Sequence, residues 1–265
     1  MKLLHRVTPF ISKQGGIAVA YSGGVDSASV LAAAHRLLGK EVVGIMVSTD
    51  LVPQQEIREA EETALNIGAR LEILRVDILA DAKVAANPPD RCYHCKLAIM
   101  TAIKKRATEM GIANVLDGSN ADDARSHRPG RLALKELGIE SPLSEAGLNK
   151  KEVRQLAKEL GLKVAERPSS ACLASRVPYG THLDPLLLKR IAAAELSLRP
   201  LVKGQLRVRV HGPIARIEVD VEDMHHLLTR RIEVAELMHR QGFTYACLDL
   251  DGFRSGSLDL SLKNV

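Results

Sequence analysis

The chain has 265 residues, 46% hydrophobic and 26% charged, a length and balance that suit a globular protein and exclude fibrous or low-complexity classes. Its net charge of +5 suits polyanionic ligands such as ATP, while the absence of Trp and the 3% aromatic content argue against a base-stacking nucleic-acid surface. The opening MKLLHRVTPF meets charge and Pro before any apolar run develops, and no stretch is long enough to span a bilayer. A cytoplasmic, enzyme-sized protein without membrane contact is expected, and a homo-oligomer.

The first predicted element is a strand over the apolar run Ile17 to Tyr21, broken by Ser22-Gly23-Gly24 and followed by a helix from Val25 to Leu38. Adjacent glycines let the backbone take positive φ and approach a ligand closely. The helix then aims its first N–H groups and the positive end of its dipole at the turn. Ser22 and Ser27 add hydroxyls, so the turn is suited to an anion. It lacks the Gly-Lys-Ser/Thr ending of a Walker A loop. The string SGGVDS resembles the pyrophosphate loop of ATP pyrophosphatases, which implies ATP binding by Ser22, Gly23, Gly24, Asp26 and Ser27. Asp26 would repel phosphate without an intervening cation, and facing Mg²⁺ is the task expected of it. As a first-turn carboxylate it would also complement the helix dipole.

Further along, Glu41–Thr49 reads as a strand, Gln54–Ile67 as a helix, Leu71–Ile78 as a strand, Asp90–Met110 as a helix and Asn114–Leu116 as a short strand. Strands alternating with helices imply a parallel sheet covered on both faces, with ligands at the carboxyl ends of its strands. Ser22, Ser48-Thr49 and Asp117 to Asn120 would then share one rim, with Ser48 near the adenosine. The polar run ADDARSHRPGR reads as loop, Asn149–Leu160 as a helix with an Asn cap, and Glu166–Gly180 as a functional loop or junction. A helix over Asp184–Leu198, strands over Gln205–His211 and Ala215–Val219, a helix over Val221–Arg240 and a strand over Tyr245–Leu250 complete the chain. The expected fold is α/β: a Rossmann-like parallel-sheet domain over 1–165, and a smaller α+β domain with the junction loop over 166–265.

In a chain with no export signal, Cys92, Cys95, Cys172 and Cys247 read as metal ligands or reactive thiols rather than a disulfide framework. Cys172, in PSSACLASR, has Arg176 four residues on and Arg167 five residues back. Cationic neighbours favour the thiolate, which makes Cys172 the expected nucleophile. Cys247, within an apolar strand, reads as structural.

The SGGVDS turn, the loop PSSACLASRVPYG and the tail DLDGFRSGS together resemble the ATP-dependent sulfur transferases of the LarE type, which help build the nickel-pincer cofactor of lactate racemase. The likeness covers nearly the whole chain, and CLASR is its most specific part. It implies adenylation of a carboxylate on a nicotinate-derived mononucleotide, then displacement of AMP by the thiolate of Cys172 to give a thioester-type adduct. In the simplest members the C–S bond of that cysteine then breaks, leaving dehydroalanine. Ser175, Arg176, Arg207 and Arg209 are the candidates for holding the substrate's phosphate and carboxylates. Arg207 and Arg209 alternate on a strand and share a face, which could equally be a solvated one. The pair in RCYHCK departs from single-cysteine members. Cys92, Cys95 and Cys172 would hold a 4Fe-4S cluster, as some members do, with the sulfide source open; a zinc site or a redox dithiol also fits Cys-x-x-Cys. A tRNA thiolase shares the pyrophosphate loop and the cysteines, and a non-catalytic ATP- or nucleic-acid-binding module would share the loop alone.

Overall fold

The computed structural model describes residues 2–11, 15–125, 130–167, 171–254 and 256–258. In chain order the helices are α1 (Lys2–Ile11), α2 (Val25–Leu38), α3 (Gln54–Ile67), α4 (Ala82–Ala85), α5 (Arg91–Glu109), α6 (Ala121–Arg125), α7 (Gly130–Leu137), α8 (Pro142–Glu145), α9 (Lys150–Glu159), α10 (Pro185–Leu198), α11 (Val221–Thr229) and α12 (Arg231–Arg240). The strands are β1 (Ile17–Ala20), β2 (Val42–Ser48), β3 (Arg70–Arg75), β4 (Asn114–Leu116), β5 (Leu206–His211), β6 (Ile214–Val219) and β7 (Tyr245–Leu248). Two compact units result, one of Met1–Ile78 with Asp90–Ser169 and the other of Leu79–Pro89 with Ser170–Val265.

The first unit is a parallel sheet in the order β3-β2-β1-β4. All four residues of β1 are buried, because a parallel strand covered on both faces needs apolar side chains on both. The pleat sorts them by parity. Ile17 and Val19 join Val42, Met46 and Leu116 in a core against α1, α2, α3 and α9. Ala18 and Ala20 join Val43, Ile45 and Val115 in a second core with Met100 and Ile103 of α5 and Leu134 of α7. The strand order reverses between β1 and β4, and that switch point opens a crevice at their carboxyl ends. The α/β class is as expected from the sequence.

Of two further stretches of this unit, the first carried no expectation and the second departs from one. α1 is a helix despite Pro9, since Leu4, Val7 and Ile11 recur on one buried face. The run ADDARSHRPGR was expected as loop, yet it contains α6 and the first two residues of α7. Asn120 starts α6 with a side-chain cap, its Oδ1 accepting from the backbone N–H of Asp122 at 2.9 Å. Residues 126–129 lie outside the described residues.

In the second unit β5 and β6 form an antiparallel hairpin and β7 adds parallel to β6. The single helix expected over Val221–Arg240 is two, broken at Arg230, whose φ of −105° and ψ of 24° end the first. Cys247, expected to be structural, is exposed, because β7 is an edge strand with alternating exposure and the thiol lies on its open face. No described helix is long and apolar enough to cross a membrane.

Candidate functional site: the Ser22–Ser27 turn and the Cys172 loop

The turn after β1 sits at the switch point. Gly23 has φ +77°, and a Cβ there would lie 2.6 Å from the Cβ of Ala60 on α3. Glycine is therefore required twice, by conformation and by space. Gly24 begins α2 with no side-chain cap, so the helix presents its first-turn N–H groups to the turn. The Ser27 hydroxyl donates to the Gly24 carbonyl at 3.1 Å. A hydroxyl has one proton, so Ser27 Oγ accepts from the Ser22 N–H and the Ser22 hydroxyl, both at 3.1 Å. Ser27 thus staples the turn, and the exposed Ser22 is its outward hydroxyl.

The second wall is the segment after β4. A Cβ on Gly118 would come within 2.6 Å of the Ser27 nitrogen, so only glycine lets this segment pack on the first turn of α2. Buried Asp117 accepts from the hydroxyls of Ser119 at 2.7 Å and Ser141 at 2.6 Å, and pairs with Lys96 Nζ at 3.4 Å. The amide of Asn120 donates to Asp26 Oδ1 at 3.3 Å, and the ammonium of Lys150 ion-pairs with Asp26 Oδ2. Ser48 ends β2 and Thr49 follows it on the same rim. Ser48 is half-buried, and its carbonyl accepts from the Val76 N–H at 3.1 Å; Thr49 is buried with its hydroxyl accepting from the Leu51 N–H. For Mg²⁺, the single carboxylate of Asp26 beside an anion-suited turn fits an ion that arrives on ATP and draws its remaining ligands from phosphate and water.

Cys92 and Cys95 sit in the first turns of α5, one exposed and the other half-buried, and none of the four cysteines is in a disulfide. The buried Arg91 guanidinium approaches Cys92 Sγ at 3.7 Å. Three residues apart on a helix, the two thiols fit a common metal centre as donors. Among the described residues no group of three or more His, Cys, Asp or Glu is assembled as a metal site.

In the second unit, Cys172 heads a helical turn over Leu173–Arg176 with its side chain partly exposed. Its carbonyl accepts from the Ser175 N–H at 3.0 Å, the Ser175 hydroxyl at 2.8 Å and Arg176 Nη1 at 3.1 Å. Arg176 is 2% exposed, and all three of its nitrogens are engaged. Nε and Nη2 form a two-point pair with Glu195 at 2.8 and 2.9 Å, and Nη1 also donates to the Ala171 carbonyl at 2.5 Å. Glu195 reaches on to the Val208 N–H of β5 at 2.9 Å. Arg209 is buried too, donating to Glu218 at 2.6 Å, the Ser175 carbonyl at 2.5 Å and the Ser257 hydroxyl at 2.6 Å. The sequence expectation gave Arg176 and Arg209 a ligand to hold; in this geometry both hold the Cys172 turn and its supporting sheet. Arg207 shares the β5 face of Arg209 and lies over the Phe253 ring at 5.2 Å. Residues 168–170 of the expected loop are outside the described residues.

Sequence reading passed over Lys150, Glu195 and Glu218. A signal existed for Glu195, the lone acid of the apolar run IAAAELSL, but its partner lies 19 positions back in a stretch without periodicity. Lys150 beside the Asn149 cap reads as an ordinary first-turn residue until the tertiary fold brings Asp26 to it.

An SGGVDS turn at the switch point of a parallel sheet, opening an uncapped helix, defines the pyrophosphate-loop class of ATP-using enzymes. Comparison with known proteins narrows this. No family model matches the chain. It is 38% identical over 260 residues to an uncharacterised protein of Synechocystis, covering 97% of this chain and 96% of that one. It is 37% identical over 250 residues to the pyridinium-3,5-bisthiocarboxylic acid mononucleotide synthase of Lactiplantibacillus plantarum, covering 94% and 91%. A tRNA-specific 2-thiouridylase of Chlorobium luteolum matches at 30% over 221 residues, but only 69% of this chain and 60% of that protein. The chain belongs to the LarE-type family of ATP-dependent sulfur transferases.

Proposed function

We propose that the enzyme adenylates a carboxylate of a nicotinate-derived mononucleotide and converts it to a thiocarboxylate. The observation that carries this reading is the near full-length likeness to the bisthiocarboxylic acid mononucleotide synthase, which spans both the Ser22–Ser27 turn and Cys172. ATP binds with its β- and γ-phosphates at the amino end of α2, against Ser22, Gly23, Gly24 and Ser27, with Ser48 on the adenosine side. Asp26 would hold Mg²⁺, which neutralises the departing pyrophosphate. The substrate carboxylate attacks the α-phosphorus, pyrophosphate leaves, and an acyl adenylate forms. The Cys172 thiolate then attacks the acyl carbon and AMP leaves. Ser175, Arg176, Arg207 and Arg209 serve the anionic groups of the substrate, Arg176 and Arg209 by fixing the turn that presents Ser175 and the thiol.

The sulfur source is the finer part of the proposal. Cys92, Cys95 and Cys172 would hold a 4Fe-4S cluster, which would supply a renewable sulfide. Without it, loss of the Cys172 α-proton with cleavage of its C–S bond releases the thiocarboxylate and leaves dehydroalanine.

The test is exchange of labelled pyrophosphate into ATP. Exchange should depend on the nicotinate-derived mononucleotide and be indifferent to tRNA. Exchange that requires tRNA instead would move the enzyme to the thiouridylases.

A further inference from the structure

The Asp26 carboxylate is the acid in the pyrophosphate turn, and its two oxygens have different partners. Oδ1 accepts from the Asn120 amide at 3.3 Å, a neutral donor on a short side chain whose own carbonyl oxygen caps α6. Oδ2 is paired with the Lys150 ammonium, at the end of four methylenes. Asn120 is therefore fixed, whereas the lysine head is mobile by construction. Its backbone is the opposite. The Lys150 N–H donates to Asp122 Oδ2 at 2.8 Å. Asn149 and Glu152 close a capping box around the same turn, with the Glu152 N–H on Asn149 Oδ1 at 2.9 Å and the Asn149 N–H on Glu152 Oε2 at 3.0 Å. Arg6 secures Glu152 from α1 at 2.6 Å. A long cationic side chain thus leaves a rigid helix start and reaches the carboxylate, with both members of the pair a quarter to a third exposed, 34% for Lys150 and 24% for Asp26.

We propose that Lys150 is the placeholder for the metal at Asp26 and the next cation for the phosphates. Without nucleotide its ammonium neutralises Asp26 and keeps an unpaired carboxylate from repelling the incoming polyanion. When Mg²⁺ enters on ATP it takes Oδ2, and the displaced ammonium swings to the pyrophosphate oxygens. Lys150 is then a positioning and charge-exchange residue, and a partly exposed ion pair is weak enough to be exchanged. The pair lies within one unit, between the start of α9 and the start of α2. This inference rests on the ATP-binding reading of the turn.

The experiment is calorimetric titration of the full-length protein with α,β-methylene-ATP, whose α–β link cannot be cleaved, at a series of Mg²⁺ concentrations. Lys150→Met should bind the metal-free analogue more weakly, having lost a cation for the phosphates. It should also reach half-maximal binding at less Mg²⁺, by about three- to fivefold, because the competitor for Asp26 is gone. Lys150→Arg should remain near wild type in both. Asp26→Asn, which frees the ammonium and removes the repelling charge, should bind the metal-free analogue more tightly than wild type. That variant keeps the test decisive should Lys150→Met fail to fold. An unchanged Mg²⁺ midpoint in Lys150→Met, or weaker metal-free binding in Asp26→Asn, would overturn the exchange while leaving ATP binding standing. A wild-type protein that binds no analogue at any Mg²⁺ concentration would overturn the ATP reading and this proposal with it.

Discussion

Tyr21 shows how one side chain conditions the site. It directly follows β1, is 2% exposed, and its hydroxyl donates to the Ala60 carbonyl of α3 at 2.9 Å. Ala60 is also the residue that excludes a side chain at Gly23, so the phenol clamps the helix that shapes the turn. Burial pushes the Tyr21 phenol up to about 12 from its ordinary value of 10.0, because the phenolate would lose hydration. The folded state thus prefers the protonated form. The stability tied to this preference is whole below pH 10 and is lost as pH rises through 12, about 2–3 kcal/mol in all. Wild type should lose unfolding free energy over that window more steeply than Tyr21→Phe, and ultraviolet titration should show a late phenolate that the variant lacks. A phenol titrating near 10 would contradict the clamp.

At the scale of elements, the Cys172 turn is held by α10 and β5 rather than by its own sequence. Glu195 is the joint: one carboxylate takes both forks of Arg176 and the backbone of Val208. Arg176 is buried, so removing its partner leaves a charge out of water without compensation, at a cost of about 3–5 kcal/mol. Glu195→Gln should therefore lower unfolding stability by that order and change the rate at which iodoacetamide alkylates Cys172. Binding of α,β-methylene-ATP should be spared. Loss of ATP-analogue binding equal to the change at Cys172 would place Glu195 in the nucleotide site instead. Sequence reading picked out the element, CLASR, but assigned its arginine to the ligand. Four residues from a cysteine, Arg176 reads as a neighbouring cation, and only burial reveals that Glu195 already neutralises it.

For the whole molecule the two routes for sulfur, renewed or sacrificed, differ in what they ask of Cys92 and Cys95. Cys92 and Cys95 belong to the first unit and Cys172 to the second. If the three hold a 4Fe-4S cluster, Cys92→Ala should bind less iron after anaerobic reconstitution and should stop after one turnover, since Cys172 remains. Iron and sulfide assays with turnover counting measure both. A wild type that binds no iron, and whose mass falls by one H₂S per protein after a single turnover, would restore the sacrificial route.

The sequence by itself determined the α/β class, the bounds of α3 to the residue, the strand β4 and the anion-suited turn. Each of these rests on local chemistry: hydrophobic period, glycine conformation and helix-end polarity operate within a dozen residues. Tertiary structure alone decided the rest. The order β3-β2-β1-β4 brings Asp117 to Asn120 beside Ser27, and the start of α9 brings Lys150 to Asp26 across 124 positions. Charges in the pattern could be counted from the sequence, but not which were buried and paired. Pairing depends on distance and on removal from water, and folding sets both only after distant segments have met.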